Sequence, residues 1–261
     1  MPRGQLARKC AVVTGASKGI GRAIALQLAS EGSDVVICAR NADALHTAAR
    51  EIEARGVRVA AIPLDLRLPE SADRLMQEAH STFDRIDILV NNAGATKRGE
   101  FLELTEEDWT DGFALKFFGA VRVTRSAWPH LREQSGSVLN IIGVGGRTPG
   151  PQFTIGGSVN AALLSFTKAM ADVGVRDGVQ VNAINPGSIR TDRFARTVQQ
   201  FAERENLDVS AAEAELVRRA KSTGIGVPED IANLAAFILT PAGRFLQGAL
   251  IDMDGGQTKT I

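Results

Sequence analysis

The first chemistry the chain offers is a glycine turn near its start. Thr14-Gly15-Ala16-Ser17-Lys18-Gly19-Ile20-Gly21 follows a short apolar, β-branched run and precedes a helical pattern. A strand, a glycine turn and a helix in that order make a cradle for a pyrophosphate. Gly15 permits the tight turn, Gly19 lets backbone approach the phosphates, and Gly21 lets the helix close on the strand, while the helix start offers free N–H groups and positive potential. The next strand ends Cys38-Ala39-Arg40-Asn41, where sites that bind an unphosphorylated ribose carry an acid to hold its 2′-hydroxyl. Arg40 stands there instead. Its guanidinium can pair with a 2′-phosphate, and Lys18 in the glycine turn adds a second charge, so the residues favour NADP(H) over NAD(H).

Such a cradle must be positioned by a sheet. Short Val/Ile-rich runs near 11–14, 35–39, 59–64, 88–91, 137–142, 179–185 and 249–252 alternate with helical patterns beginning near Gly19, Asp43, Ser71, Thr105 and Ser158. This is how a Rossmann-type α/β fold is written: a doubly wound, mostly parallel seven-stranded sheet with helices on both faces. A single domain over 1–261 is expected, with a polar helical insert at about 191–223 lying over the ligand crevice. The helix at 158–176 reads as apolar nearly all round and calls for a partner on its outer side. A homo-oligomer, dimer or tetramer, is expected through the helices at 105–131 and 158–176.

Composition narrows the partners. Thirty basic residues balance thirty acidic ones, and 44% of the side chains are hydrophobic. No net field draws the chain to nucleic acid or to a membrane surface, and no apolar run reaches the ~18 residues of a span. Cys10 and Cys38 lie in apolar stretches and read as buried free thiols, with no metal site expected. The basic N-terminal residues run straight into the first strand without a cleavable apolar segment, so a cytoplasmic protein is the expectation.

Beyond the glycine turn, Asn91-Asn92-Ala93-Gly94 closes the fourth strand, Asp65 ends the third, and Asn185-Pro186-Gly187-Ser188 with Thr191 ends the sixth. Pro228-Glu229-Asp230-Ile231-Ala232 and Asp254-Gly255-Gly256 follow. In this order the motifs resemble the short-chain dehydrogenase/reductase family over nearly the whole chain. The resemblance implies a nicotinamide dinucleotide held by Gly15, Ser17, Lys18, Gly19, Ile20, Gly21, Arg40, Asp65, Leu66, Asn92, Ala93, Gly94, Ile141, Asn160, Pro186, Gly187, Ser188, Ile189 and Thr191. It also implies a small carbonyl or alcohol substrate, whose identity is unknown.

The catalytic half departs from that family. Gly143 takes the position of its carbonyl-orienting Ser, Gly156 that of its acid/base Tyr, and Asn160 that of its Lys. The chain contains no Tyr at all. Lys116 stands where the family has a water-anchoring Asn. Asn and Lys therefore look exchanged, and the pair Lys116 and Asn160 is the candidate catalytic centre, while the two glycines are expected to open space in the pocket. Losing a positioned acid/base forfeits ~10²- to 10⁴-fold in rate. Three functions follow as expectations: an oxidoreductase with a non-standard site, a pseudoenzyme that binds cofactor or partner without turnover, and a non-redox enzyme using the emptied pocket.

Overall fold

A computed structural model describes residues 4–260. Seven strands form one all-parallel sheet in the order β3-β2-β1-β4-β5-β6-β7: β1 (Cys10–Thr14), β2 (Asp34–Ala39), β3 (Val59–Pro63), β4 (Ile88–Asn91), β5 (Ser137–Ile141), β6 (Gln180–Pro186) and β7 (Leu250–Met253). Each is short, β1 and β2 are rich in β-branched residues, and the pleat sends successive side chains to opposite faces. Val13, Ile37, Val90 and Ile184 face one side, packed by Ile24 and Leu28 of α1 (Gly19–Ser30), Leu45 of α2 (Ala42–Glu53) and Ile231 of α9 (Pro228–Leu239). Val12, Val36, Leu89, Val138 and Val181 face the other. There they meet Leu75 of α3 (Ser71–Phe83), Val123 and Leu131 of α5 (Gly119–Glu133) and Ala171 of α6 (Thr154–Asp177). Strand order reverses between β1 and β4, and ligands of such sheets bind in the crevice at the carboxyl ends beside that reversal.

Several expectations need correction. The helix expected to begin near Ser158 starts at Thr154, so Gly156 and Gly157 lie within its first turn. Its outward side is not apolar: Ser165, Lys168 and Asp172 are exposed along it. The helix expected from Thr105 is α4 (Glu106–Gly112), a π-helical turn (Phe113–Phe118), and α5 in succession. Thr105 caps α4 in a reciprocal box with Asp108. The π turn inserts one extra residue per turn, a distortion common at functional sites, and it carries Lys116. The polar insert forms α7 (Asp192–Glu205) and α8 (Val209–Ala220), with a small core of its own built on Val198, Phe201, Ala202 and Ala212.

Candidate active site

The carboxyl ends of the strands open into a cleft of about 1720 Å³, roofed by α7 and α8. Its floor begins at the glycine turn. Gly15 and Gly19 have φ of 66° and 58°, the left-handed region that favours glycine. A Cβ on Gly15 would stand 2.8 Å from Ala93 Cα, and one on Gly21 would run into Asn92 Nδ2 and the Gly15 carbonyl. The close approach has a purpose: Asn92 Nδ2 donates to the carbonyls of Thr14 (2.9 Å) and Gly15 (3.1 Å), and the Asn92 and Ala93 amides both donate to Thr14 Oγ1 at 3.0 Å. The end of β4 is thereby clamped to the turn. Lys18 sits at the N-cap of α1 without a side-chain capping bond, so the helix's first N–H groups remain free for an anion.

Of the residues expected to hold a dinucleotide, all line this cleft except Asp65. Arg67 takes that carboxylate: its Nη2 donates to Oδ2 at 2.7 Å and its Nε reaches both oxygens at 3.1 Å. These bonds hold the Asp65 carboxyl below its usual range. Arg67 also reaches Asp111 at 2.6 Å, fastening the end of β3 to α4. Arg40 is exposed at the lip of the cleft and has no carboxylate within ion-pair distance among the described residues. Lys18 is less free than its sequence suggests, since its Nζ lies 3.3 Å from Asp192 Oδ2.

The catalytic half is held by a buried polar chain. Asn91 Nδ2 donates to Thr124 Oγ1 and to Asn140 Oδ1, and Asn140 Nδ2 to Thr167 Oγ1, each at 2.9 Å. These bonds tie β4 and β5 to α5 and α6, where a missing partner would leave an amide unsatisfied in the core. Just past β5, Gly143 has φ of 123°, a backbone that a Ser side chain rarely adopts. Two residues beyond it, Gly145 would place a Cβ 2.7 Å from the Phe153 ring. That ring also lies directly where a Cβ on Gly156 would go. The expectation that two glycines empty the pocket is therefore wrong at Gly156: Phe153, just before α6, fills the space with its own ring. The Arg98 guanidinium stacks over that ring, 4.1 Å from its centroid.

Lys116 and Asn160 come together. Lys116 Nζ donates to Asn160 Oδ1 and to the Ile142 carbonyl, both at 2.6 Å, and Asn160 Nδ2 donates to the Gly143 carbonyl at 3.3 Å. Gly94 makes the reach possible, because a Cβ there would meet Lys116 Cγ and Cδ at 2.7 Å. Asn160 is buried and Lys116 half-buried, its ammonium at the cleft floor. Desolvation, with a smaller push from the Arg193 cation, lowers the ammonium from about 10.5 to about 7. An amine at that value can donate or accept a proton at neutral pH. Arg193 itself donates from Nη2 to the Gly94 carbonyl at 2.5 Å.

Other candidates lie elsewhere. Arg147 turns to β7, with Nη2 on the Leu250 carbonyl at 3.4 Å and Nε 3.4 Å from Asp252. Lys97 pairs with Asp108 at 2.7 Å, and Arg190 with Glu213 at 2.8 Å. His80 and His130 stack on each other, ring centroids 4.6 Å apart, and neither lines the cleft. Cys10 and Cys38 are buried free thiols, both pushed up to about 12, chiefly by burial. Sequence reasoning missed Phe153 altogether, although its place three residues before Gly156 at a helix start was a signal.

A parallel doubly wound sheet with a glycine cradle at its switch point defines a Rossmann-type fold. The sequence profile of the short chain dehydrogenases matches residues 9–202. The chain belongs to that family. It is 37% identical over 252 residues to an uncharacterised oxidoreductase of Mycobacterium tuberculosis, covering 96% of this chain and 92% of the relative. It is 31% identical over 254 residues to a 3-oxoacyl-[acyl-carrier-protein] reductase of Aquifex aeolicus, covering 97% and 98%. Among solved structures, the L-sorbose reductase of Gluconobacter frateurii, complexed with NADPH and L-sorbose, superposes with a TM-score of 0.94 at 33% identity over the whole of both chains. A short chain dehydrogenase of Burkholderia cenocepacia in complex with NADP superposes with a TM-score of 0.87 at 30% identity, covering 97% of this chain and 99% of that one. No helix among the described residues is long and apolar enough to cross a membrane.

Proposed function

We infer that this chain is an NADP(H)-dependent oxidoreductase acting on a carbonyl or alcohol, with Lys116 as its acid/base in place of the absent Tyr. The observation that carries the reading is the 2.6 Å contact of Lys116 Nζ with Asn160 at the floor of the cleft. The cradle suits a dinucleotide: an uncapped helix start, two left-handed glycines and a cationic lip at Arg40. Similarity to structures that hold NADPH and NADP supports the same choice.

When bound, NADPH supplies a hydride, and with it two electrons, to the carbonyl carbon. Lys116 supplies the proton: its ammonium gives one to the carbonyl oxygen as the alcohol forms and is left as the neutral amine. Asn160 and the Ile142 carbonyl, each accepting from the ammonium, fix its direction. In the reverse reaction the neutral amine takes the alcohol proton. Gly94 and Gly143 matter as backbone, letting the Lys116 stem and the Asn160 amide sit against the chain. Arg40, exposed at the lip of the cleft, would meet the 2′-phosphate.

Titration of NADPH and NADH by fluorescence tests the cofactor half. Wild type should bind NADPH more tightly, and Arg40→Glu should reverse the order by about tenfold or more, since a carboxylate repels a 2′-phosphate. NADH binding at least as tightly as NADPH in wild type overturns the preference. A second reading, a cofactor-binding protein without turnover, draws on Phe153 standing in the Tyr space. Stoichiometric NADPH binding with no oxidation over a broad carbonyl panel would favour it.

A further inference from the structure

The chain is neutral overall, yet its cleft is not: ten basic side chains line it against four acidic ones. A bound NADP(H) accounts for part of that excess through Arg40 and the glycine turn. The remainder lines the rest of the cleft, with Arg98 over the Phe153 ring. At the same mouth Arg190, Arg204 and Arg219 are each paired with a carboxylate, Glu213 for the first, Glu205 for the second, and Glu205 with Glu215 for the third. Arg98, Arg193 and Lys116 have no carboxylate within ion-pair distance among the described residues. Of the acids lining the cleft, Asp192 faces Lys18, and Glu100 accepts from Gln152 at 2.6 Å.

The three cations are held rather than loose. Arg98 is stacked on the wedged Phe153 ring, Arg193 is tethered to the Gly94 carbonyl, and Lys116 is bonded to Asn160 and Ile142. Arg98 and Arg193 stand exposed at the mouth; partial desolvation and then a neighbouring cation depress each group, Arg193 acting on Arg98 and Lys116 and Arg196 acting on Arg193. Like charges fixed within mutual reach repel unless an anion lies between them. A guanidinium that stacks by its face or bonds by one N–H keeps its other donors for an oxyanion.

We propose that the cleft takes a substrate bearing an oxyanionic group, carboxylate or phosphate, held by the guanidiniums of Arg98 and Arg193 beside the Lys116 ammonium. The proposal names the substrate class for the site read above as an oxidoreductase, and it rests on that reading. The anion would set the reacting carbon against Lys116 and offset the repulsion among the cations.

Calorimetric titration with malonate, inorganic phosphate and neutral acetamide, into the free chain and into the chain saturated with NADP⁺, tests it. Malonate or phosphate should bind the NADP⁺-saturated chain saturably and acetamide should not. Arg98→Leu and Arg193→Met should each weaken the anion by about tenfold or more while NADP⁺ affinity is kept, and Arg193→Lys should recover part of the loss. Tighter malonate marks a carboxylic acid substrate; tighter phosphate marks a phosphorylated one. Either result supports the clamp. No saturable binding below about 10 mM, equal binding by the variants, or displacement of the anion by NADP⁺ overturns it. If NADP⁺ itself fails to bind while the free chain takes malonate through Arg98 and Arg193, the anion clamp stands and the redox reading falls.

Discussion

As the proposed acid/base, Lys116 takes its direction from two acceptors, Asn160 Oδ1 and the Ile142 carbonyl, and the cleft lowers its proton affinity. Reduction needs the ammonium and oxidation needs the amine. With the group at about 7, kcat/KM for carbonyl reduction should fall as pH rises through that value, and alcohol oxidation should rise through the same window. An anionic substrate or cofactor nearby moves that point upward. Lys116→Met should lower kcat in reduction by about 10²-fold or more, with NADPH affinity little changed, and should abolish the ionisation. An unchanged pH profile in the variant would show that another group moves the proton. At this scale the sequence was legible where a residue acts through its own backbone: Gly15 and Gly19 take the left-handed φ of a tight turn, and Gly21 has the close packing its spacing implied. It was not legible where a side chain fills space. Phe153 reaches Gly156 only because the residue before α6 leaves the helical region, at φ −129° and ψ 33°, and no spacing rule fixes that turn. The Asp65–Arg67 fork, two residues apart, could have been read and was not.

Elements decide how the cleft is covered. The strands fell where the apolar runs place them, because a buried parallel sheet demands residues that fit both faces. Helix boundaries and the π turn were less legible, since tertiary contacts and not propensity set them: Lys116 is aimed at Asn160 from within Phe113–Phe118. The lid of α7 and α8 packs on its own small cluster, with Phe201 flanked by the guanidiniums of Arg204 and Arg219 at 5.2 and 4.9 Å from its ring. Phe201→Ala removes the largest side chain of that cluster, a change that costs about 3–5 kcal/mol in a packed core. Hydrogen exchange should then quicken across 192–220 and stay unchanged in the sheet. Equal loosening of both would mean the lid and the sheet unfold as one.

At the scale of the whole molecule, several large apolar side chains stand exposed. Phe118 at the end of the π turn is 46% exposed and Val175 of α6 72%, while Phe245 is 99% exposed. Single exposed side chains are ordinary; the places of Phe118 and Val175 on the helices at 105–131 and 158–176 suit the expected homo-oligomer, whereas Phe245 lies on neither. Light scattering at micromolar concentration should report a dimer or tetramer, and Phe118→Glu should shift it toward smaller species. A wild-type monomer would refute the assembly. The polar stripe on α6 limits how much of that helix a partner can bury, so the sequence overstated its apolar character while placing it correctly on the sheet.

On the proposed function, a bound NADPH and the Lys116–Asn160 pair form one reaction centre. A crystal structure of the NADPH complex tests it most directly. One NADPH per chain is expected, its 2′-phosphate on Arg40, and Lys116 Nζ still on Asn160 beside the exposed C4 face of the nicotinamide. NADPH bound with Lys116 turned away from that face, or a chain that takes up no NADPH, would contradict it.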